Sequence, residues 1–193
     1  MTDVYLVGVG GQGIITASRI IGDAALLAGK NVVLSETHGM AQRGGAVACT
    51  ARIGEARSPL IPDHGADAIL SFELLETLRA LPKASESTVV ISSTEVIPPP
   101  SASARKAHYP TLEEVRIRLA ESASRFILVD AKSLAVESGA PISSNVVMVG
   151  ALAGTGVTGI ERGYFEKAIA SNVRGLVSEN LAAFSRGLAA SVI

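Results

Sequence analysis

The chain has 193 residues, a formal net charge of −1 and one cysteine, Cys49. This near-neutral charge, without clusters of lysine and arginine, gives no reason to expect nucleic acid or an acidic membrane as a partner. A single cysteine excludes an internal disulfide and any cysteine-ligated zinc or iron–sulfur site held by this chain alone.

The length predicts a single domain over residues 1–193, large enough to bury a core. No apolar run approaches the ~20 residues of a membrane span. The pattern of the first strand begins by Val4, which leaves no room for a signal peptide. We therefore expect a cytoplasmic protein.

The first apolar run, Val4–Val7, is short and unbroken, as in a parallel strand buried on both faces. The glycine-rich segment Gly8–Gly13 follows it, and behind it apolar residues recur at helical spacing up to Gly29. This pattern predicts a Rossmann-like turn from strand to helix. Its glycines permit positive φ and close approach, and the N–H groups at the helix start can bind an anion.

The rest of the chain alternates between strand and helix patterns. A capping-box pattern predicts helix starts at Thr111–Glu114 and at Thr158–Glu161. The segment 146–154 is apolar on every side, so its own neighbours or another chain must bury it. Further strands are predicted at Val32–Ser35, Ala46–Ile53, Asp67–Phe72, Thr88–Ser92 and Phe126–Val129. The predicted class is α/β with a three-layer, mostly parallel sheet.

The spacing of Gly8, Gly10 and Gly13 matches the dinucleotide fingerprint, and Glu36 ends the next predicted strand near the distance of a ribose-binding acid. The same glycines also suit a purely structural turn, and both interpretations stay open. Gly11 and Gln12, small or polar at the turn, favour a surface that meets a ligand or a partner.

A second glycine turn spans His38–Gly45, and Arg43 lies within it. Arg43 could bind a phosphate or a carboxylate, pair with Glu36, or only fix its own loop. His38 has no carboxylate placed by sequence to orient it, and we expect His38, His64 and His108 to be non-catalytic.

Other polar side chains favour structural roles. Glu73, Glu76 and Arg79 share helical spacing and indicate a surface charge network rather than a catalytic pair. Cys49 lies in a strand pattern and is expected to be a small buried residue. No catalytic residue or metal site is predicted, and the chain has a site-like surface without groups that perform a reaction.

Three segments together resemble the gamma-type subunit or domain of 2-oxoacid:ferredoxin oxidoreductases. They are VGVGGQGIITASRIIG, SETHGMAQRGGAV with RIG behind it, and SNVVMVGALAG, and the resemblance extends through YFEKAI and NLAAF. The segment HGMAQRGG is most similar to indolepyruvate-type members. Pyruvate and 2-oxoglutarate members usually carry a Gly-Pro-Glu-type phrase there, from which this sequence departs.

The resemblance implies a division of labour. A larger subunit would hold thiamine diphosphate, magnesium and iron–sulfur clusters, and the complex would decarboxylate an aryl 2-oxoacid, reduce ferredoxin and form an acyl-CoA. This chain would hold none of those cofactors, and CoA would be a co-substrate. We expect no nucleic acid or membrane partner.

The expected contacts follow from this resemblance. Contacts with CoA or with the partner's site are expected at Gly8, Gly10, Gly11, Gln12, Gly13 and Arg43. An interface with the partner is expected at His38, Met40, Gln42, Gly44, Gly45 and Asn145. Two other functions stay open: the same subunit for pyruvate or 2-oxoglutarate, and a free-standing NAD-binding dehydrogenase.

Overall fold

A computed structural model describes residues 1–38, 45–98 and 109–191, except for the side chain of His38. Its strands are β1 (Thr2–Val9), β2 (Val32–His38), β3 (Ala46–Ile53), β4 (Ala68–Ser71), β5 (Val89–Ser93) and β6 (Arg125–Val129). Its helices are α1 (Ile14–Leu27), α2 (Leu74–Ala80), α3 (Leu112–Ser122), α4 (Ala131–Glu137), α5 (Ser144–Gly154), α6 (Arg162–Asn172) and α7 (Val177–Ala190).

The described strands form one sheet in the order β2-β3-β1-β4-β5-β6. Strands β1, β4, β5 and β6 are parallel, while β3 runs antiparallel to both β1 and β2. The prediction of an α/β fold with a mostly parallel sheet is confirmed. The second glycine turn connects the antiparallel strands β2 and β3, so it lies between two strands rather than between a strand and a helix.

Helices cover both faces of the sheet. Successive residues of a strand point to opposite faces, so alternate residues pack into two different cores. In β1, Val4 and Leu6 join the larger core with α1, α5, α6 and α7, whereas Val7 joins a smaller core with α2 and α3. Phe165 and Phe184 stack at 5.9 Å between ring centroids and fill the larger core where α6 meets α7. The molecule therefore has three layers.

Helix α5 is buried by its own chain. Residues Asn145–Leu152 are buried, and α7 packs closely against them. Glycines make this approach possible: a Cβ at Gly150 would meet the Phe184 carbonyl, and one at Gly187 would meet the Val147 carbonyl. Of the two expectations for segment 146–154, burial by its own neighbours is therefore the one that the structure supports.

The two predicted capping boxes have different outcomes. The Thr111–Glu114 box is present, with Thr111 Oγ1 accepting from the Glu114 N–H and the Glu114 carboxylate accepting from the Thr111 N–H. The Thr158–Glu161 box is wrong. Helix α6 begins at Arg162 after Glu161, and the Thr158 hydroxyl instead accepts from the Ile160 N–H, which stabilises the preceding turn.

None of the helices in the described ranges is both long and apolar enough to cross a membrane.

Candidate functional site

The first glycine turn joins β1 to α1, and close packing within the chain explains two of its glycines. A Cβ at Gly8 would lie 2.8 Å from Gln12 Oε1 and 2.9 Å from Phe72 Cβ. Gly13 has φ 75°, and a Cβ there would lie 2.7 Å from Asn145 Nδ2. Gly11 has φ 108° and nothing within 4 Å of its Cβ position, so it leaves room for another molecule.

Gln12 braces the turn from inside. Its Oε1 accepts from the Val9 N–H at 2.8 Å, and its Nε2 donates to the Phe72 carbonyl at 2.7 Å and to a Glu95 carboxylate oxygen at 3.0 Å. The side chain thus connects the end of β1 to the segments that follow β4 and β5. These hydrogen bonds use both the oxygen and the nitrogen of the side-chain amide. A ligand that contacted the Gln12 side chain, as the sequence analysis expects, would have to break them.

The end of the second glycine turn lies against the first. The Gly10 N–H donates to the Gly45 carbonyl at 2.9 Å, and the Gln12 N–H donates to the Val9 carbonyl at 3.2 Å. These two N–H groups therefore bind backbone carbonyls of the same chain and are not available to a ligand. Met40, Gln42, Arg43 and Gly44 lie outside the described residues, as does the side chain of His38.

A groove of about 320 Å³ opens beside this turn. Helix α1 begins here after Gly13 without a side-chain cap, so its first N–H groups are available to a bound group. Such a helix start attracts anions. The groove is lined by Gly10, Gly11, Gly13, Ile14, Ile15, Thr16 and Val47.

The geometry does not bring Glu36 to the glycine turn. Glu36 lies within β2, opposite Cys49 of β3, and β3 separates it from Leu6 of β1. Two strand spacings put Glu36 roughly 10 Å from β1. In a dinucleotide fold the second strand lies directly beside the first. The position of Glu36 is therefore evidence against NAD bound through the predicted fingerprint.

The interpretation of Glu73, Glu76 and Arg79 as a surface network is wrong, because the two carboxylates are only 1% and 6% exposed. Arg79 does pair with Glu76, at 2.6 Å. Glu73 caps α2 by accepting from the Glu76 N–H at 3.0 Å, and it also accepts from the Ile97 N–H at 3.2 Å. Burial raises the pKa of the Glu73 carboxyl, and these backbone donors offset part of that rise.

Two of the remaining polar candidates, Cys49 and His64, lie within the described residues. Cys49 is buried, as predicted, and burial together with the nearby Glu36 raises the pKa of its thiol to about 11. The His64 ring lies on a loop, with Nδ1 2.8 Å from the Ala84 carbonyl, while His108 lies outside the described residues. Among the described residues, no three His, Cys, Asp or Glu side chains lie close enough together to hold a metal ion.

The structure also brings Asn145 together with residues that the sequence analysis did not single out. Asn145, predicted at the interface, is buried, and its Nδ2 donates to the Gly13 carbonyl at 3.3 Å. This contact places the start of α5 beside the start of α1. A second groove, of about 400 Å³, opens there and contains Thr16, Ser143 and Arg174. In the sequence, the only signal for the second groove was the pair Ser144-Asn145 directly before the apolar segment 146–154.

Comparison with known proteins places the chain in a family. Residues 3–190 match the family model described as pyruvate ferredoxin/flavodoxin oxidoreductase, and the chain belongs to this family. The chain is 44% identical to the indolepyruvate oxidoreductase subunit IorB of Methanothermobacter thermautotrophicus, covering 98% of this chain and 97% of that one. The pyruvate/ketoisovalerate oxidoreductases common subunit gamma of Pyrococcus abyssi is 30% identical, and the match covers 96% of this chain and 94% of that one.

Solved structures share the fold. The gamma subunit of a keto/oxoacid ferredoxin oxidoreductase from Geobacter sulfurreducens superposes with a TM-score of 0.73 at 24% identity, covering 99% of this chain and 98% of that one. The 2-oxoglutarate:ferredoxin oxidoreductase of Magnetococcus marinus gives a TM-score of 0.74 at 19% identity. That match covers 98% of this chain but 31% of the other, so the same fold there is part of a longer chain.

Proposed function

We propose that this chain is the beta (gamma-type) subunit of an indolepyruvate:ferredoxin oxidoreductase. It assists the thiamine-dependent oxidative decarboxylation of aryl 2-oxoacids to acyl-CoA, which takes place on a larger partner subunit. The observation that carries the proposal is the full-length identity of 44% to an indolepyruvate oxidoreductase subunit, against 30% to a pyruvate/ketoisovalerate subunit. This difference favours an aryl 2-oxoacid over pyruvate.

The residues of the chain support the division of labour. One cysteine in 193 residues cannot ligate an iron–sulfur cluster, which requires several. The buried carboxylates Glu73 and Glu76 are used to cap and brace α2. We propose that thiamine diphosphate, magnesium and the clusters are held by the partner, which passes electrons to ferredoxin. The isolated chain is not catalytic.

The groove at the first glycine turn suits the pyrophosphate of CoA. The uncapped start of α1 supplies N–H donors and a positive dipole end, and Gly11 leaves open space above them. Arg43 follows in the second glycine turn, whose last residue, Gly45, is bonded to Gly10. Arg43 is the proposed cation for a CoA phosphate, and the two glycine turns form the side that faces the partner.

Purification of the tagged chain from its native host tests the assembly. We expect a larger protein to co-purify and to carry thiamine diphosphate, magnesium and iron. Recovery of the chain alone, or with bound pyridine nucleotide, would contradict the proposal and favour a free-standing dehydrogenase.

A second experiment tests the CoA contact within the purified complex. Arg43→Ala should weaken CoA binding roughly tenfold or more, since a hydrogen bond to a charged group contributes about 1.5–3 kcal/mol. The matched control is Arg57→Ala, which removes an exposed arginine on the loop after β3. Equal CoA affinity in both variants would remove Arg43 from the site.

A further inference from the structure

We propose that strand β2 is an interface between two copies of this chain, which pair antiparallel through β2 and form one continuous sheet. In the described sheet β2 is an outer strand, with β3 as its neighbour on one side. An outer strand presents a row of backbone N–H and C=O groups that another strand can bind. The second copy is the partner to which the hydrogen-bond pattern and the apolar surface beside β2 are complementary.

Strand β2 lacks the features that usually protect an outer strand from pairing, which are shortness, proline, lysine and bulges. It has seven residues, Val32–His38, none of which is proline or lysine. Its register with β3 is unbroken over these residues, so no bulge bends it away. The other outer strand, β6, has five residues, and its Arg125 donates to the Ser191 carbonyl. The edge at β2 is therefore the one suited to accept another strand.

The hydrogen bonds to β3 determine which backbone groups of β2 point outward. The Gly54 N–H donates to the Asn31 carbonyl at 2.7 Å, which continues the β2–β3 ladder by one residue. Alternate residues of an antiparallel strand bond to the same neighbour. The residues whose N–H and C=O groups point away from β3 are therefore Val32, Leu34 and Glu36.

This pattern selects a register for the pairing. Leu34 is the middle one of the three outward residues, so antiparallel pairing about a twofold axis at Leu34 uses all of them. Leu34 then lies opposite Leu34 of the other copy, and Glu36 lies opposite Val32. A register centred on Glu36 would place two carboxylates directly opposite each other, which is destabilising.

Exposed leucines lie beside this edge, on the face of the sheet that α1 covers. Leu34 is 38% exposed, and it packs against α1, since a Cβ at Gly22 would lie 2.7 Å from Leu34 Cδ1. Leu26 follows one turn after Gly22 on the same side of α1 and is 60% exposed. A stable dimer normally buries more than about 1,000 Å² in total, so strand pairing needs side-chain packing of this kind beside it.

The spacing of the layers allows the α1 helices of two copies to pack together. Helix α1 lies over β2 and β3. Strands are about 4.8 Å apart, so β2 would lie about 2.4 Å, β3 about 7 Å and α1 roughly 5 Å from the axis. The two α1 helices would then be roughly 10 Å apart, close to the distance between packed helices. Leucines of both copies would lie between them, which gives the self-complementary surface that a twofold interface requires.

The mass of the chain in solution tests the dimer. Sedimentation velocity of the full chain over a concentration series should give twice the 19.8 kDa of one copy. Leu34→Lys and Leu26→Lys each place two like charges at the interface, so each should raise the dimer dissociation constant roughly tenfold or more. The matched control is Ile117→Lys, since Ile117 is 52% exposed on α3, which covers the other face of the sheet.

The control should remain a dimer, and circular dichroism checks that each variant is folded. Because Leu26 is mostly exposed on a helix, Leu26→Lys keeps the test decisive even if Leu34→Lys does not fold. A wild-type chain that stays monomeric over the whole series would overturn the proposal. Dimers of unchanged stability in the folded leucine variants would place the interface elsewhere and would also overturn it.

Cysteine cross-linking tests the register. In a Cys49→Ala background, chains with Val33→Cys and chains with Ser35→Cys are co-expressed, purified and oxidised. Pairing about Leu34 places Val33 of one copy opposite Ser35 of the other, with Cα atoms about 4.5 Å apart, which a disulfide can span. Mass spectrometry should therefore find cross-links between unlike chains. Cross-links only between like chains, or none, would overturn the proposed pairing.

The same oxidation in the complex with the larger subunit distinguishes the two possible occupants of this edge. Cross-links between two copies of this chain are expected there as well. A cross-link from β2 to the larger subunit would assign the edge to that subunit and would overturn the pairing of two copies. The proposed function would stand in that case, because it depends on the assembly with the larger subunit and not on the dimer.

Discussion

The side chain of Asn145 donates a hydrogen bond from Nδ2 to the carbonyl oxygen of Gly13, 3.3 Å away. The two residues are 132 positions apart, and the contact joins the start of α5 to the start of α1. A Cβ at Gly13 would lie 2.7 Å from the same Nδ2 atom. Two of the segments that together carry the family resemblance therefore form one structural unit, which lines both grooves.

This relationship predicts strong coupling between the two positions. Gly13→Ala should destabilise the chain, because φ 75° costs an L-residue about 1–2 kcal/mol and the new methyl group meets Asn145. Asn145→Ala should cost about 1–2 kcal/mol through the lost hydrogen bond. In the double variant the clash is relieved, so the loss in unfolding free energy, measured by urea titration, should be smaller than the sum. Strict additivity would contradict the coupling.

Close packing of α5 on α7 predicts opposite effects for two glycine-to-alanine changes. Gly187→Ala should lower the unfolding free energy by about 1–3 kcal/mol or more, because its methyl group meets the backbone of Val147. Gly163→Ala is the matched control, since Gly163 is in α6 and nothing lies within 4 Å of its Cβ position. It should stabilise the chain by up to about 1 kcal/mol. Similar effects of the two changes would show that α5 and α7 do not pack this closely.

Much of this fold could be predicted because the signals are local. An unbroken apolar run followed by glycines and a helical period identifies β1 and α1, and the Thr111–Glu114 box identifies the start of α3. Strand order is not local. The insertion of β3 between β1 and β2 depends on pairing between distant segments, and this pairing keeps Glu36 away from the glycine turn.

The site was harder to predict than the fold. The glycine pattern identified the first turn, but it could not show that Gln12 would fold inward onto Phe72 and Glu95. Ser143 and Arg174 are 31 positions apart and carry no motif, so only the packing of α5 and α7 brings them together.

Burial of Glu73 predicts a dependence of stability on pH. Its pKa is raised in the folded chain, so the folded state keeps the proton to a higher pH than the unfolded state. This contribution to stability is present below the unfolded pKa and is lost as pH rises through the folded pKa. From about pH 4 to about pH 7, the unfolding free energy of the wild-type chain should therefore fall relative to Glu73→Gln.

The control for this effect is Glu86→Gln, at an exposed position. Its unfolding free energy, measured by urea titration at each pH, should run parallel to that of the wild-type chain. Parallel curves for wild type and Glu73→Gln would mean that the Glu73 carboxyl is not desolvated.

The thiol of Cys49 should be inert in the folded chain. Burial and the nearby Glu36 raise its pKa to about 11, so almost no thiolate forms at pH 8. Ellman's reagent at pH 8 should label the folded chain slowly and the urea-unfolded chain rapidly and with one equivalent. Rapid labelling without urea would show that β3 is accessible to reagents.

Reconstitution tests the central claim most directly. The chain, the larger subunit and their mixture are each assayed for reduction of ferredoxin that depends on both indolepyruvate and CoA. We predict turnover in the mixture and none with this chain alone, because the proposal assigns the thiamine and iron–sulfur chemistry to the partner. Turnover of a 2-oxoacid by the isolated chain, or a mixture no more active than the larger subunit by itself, would contradict the assignment.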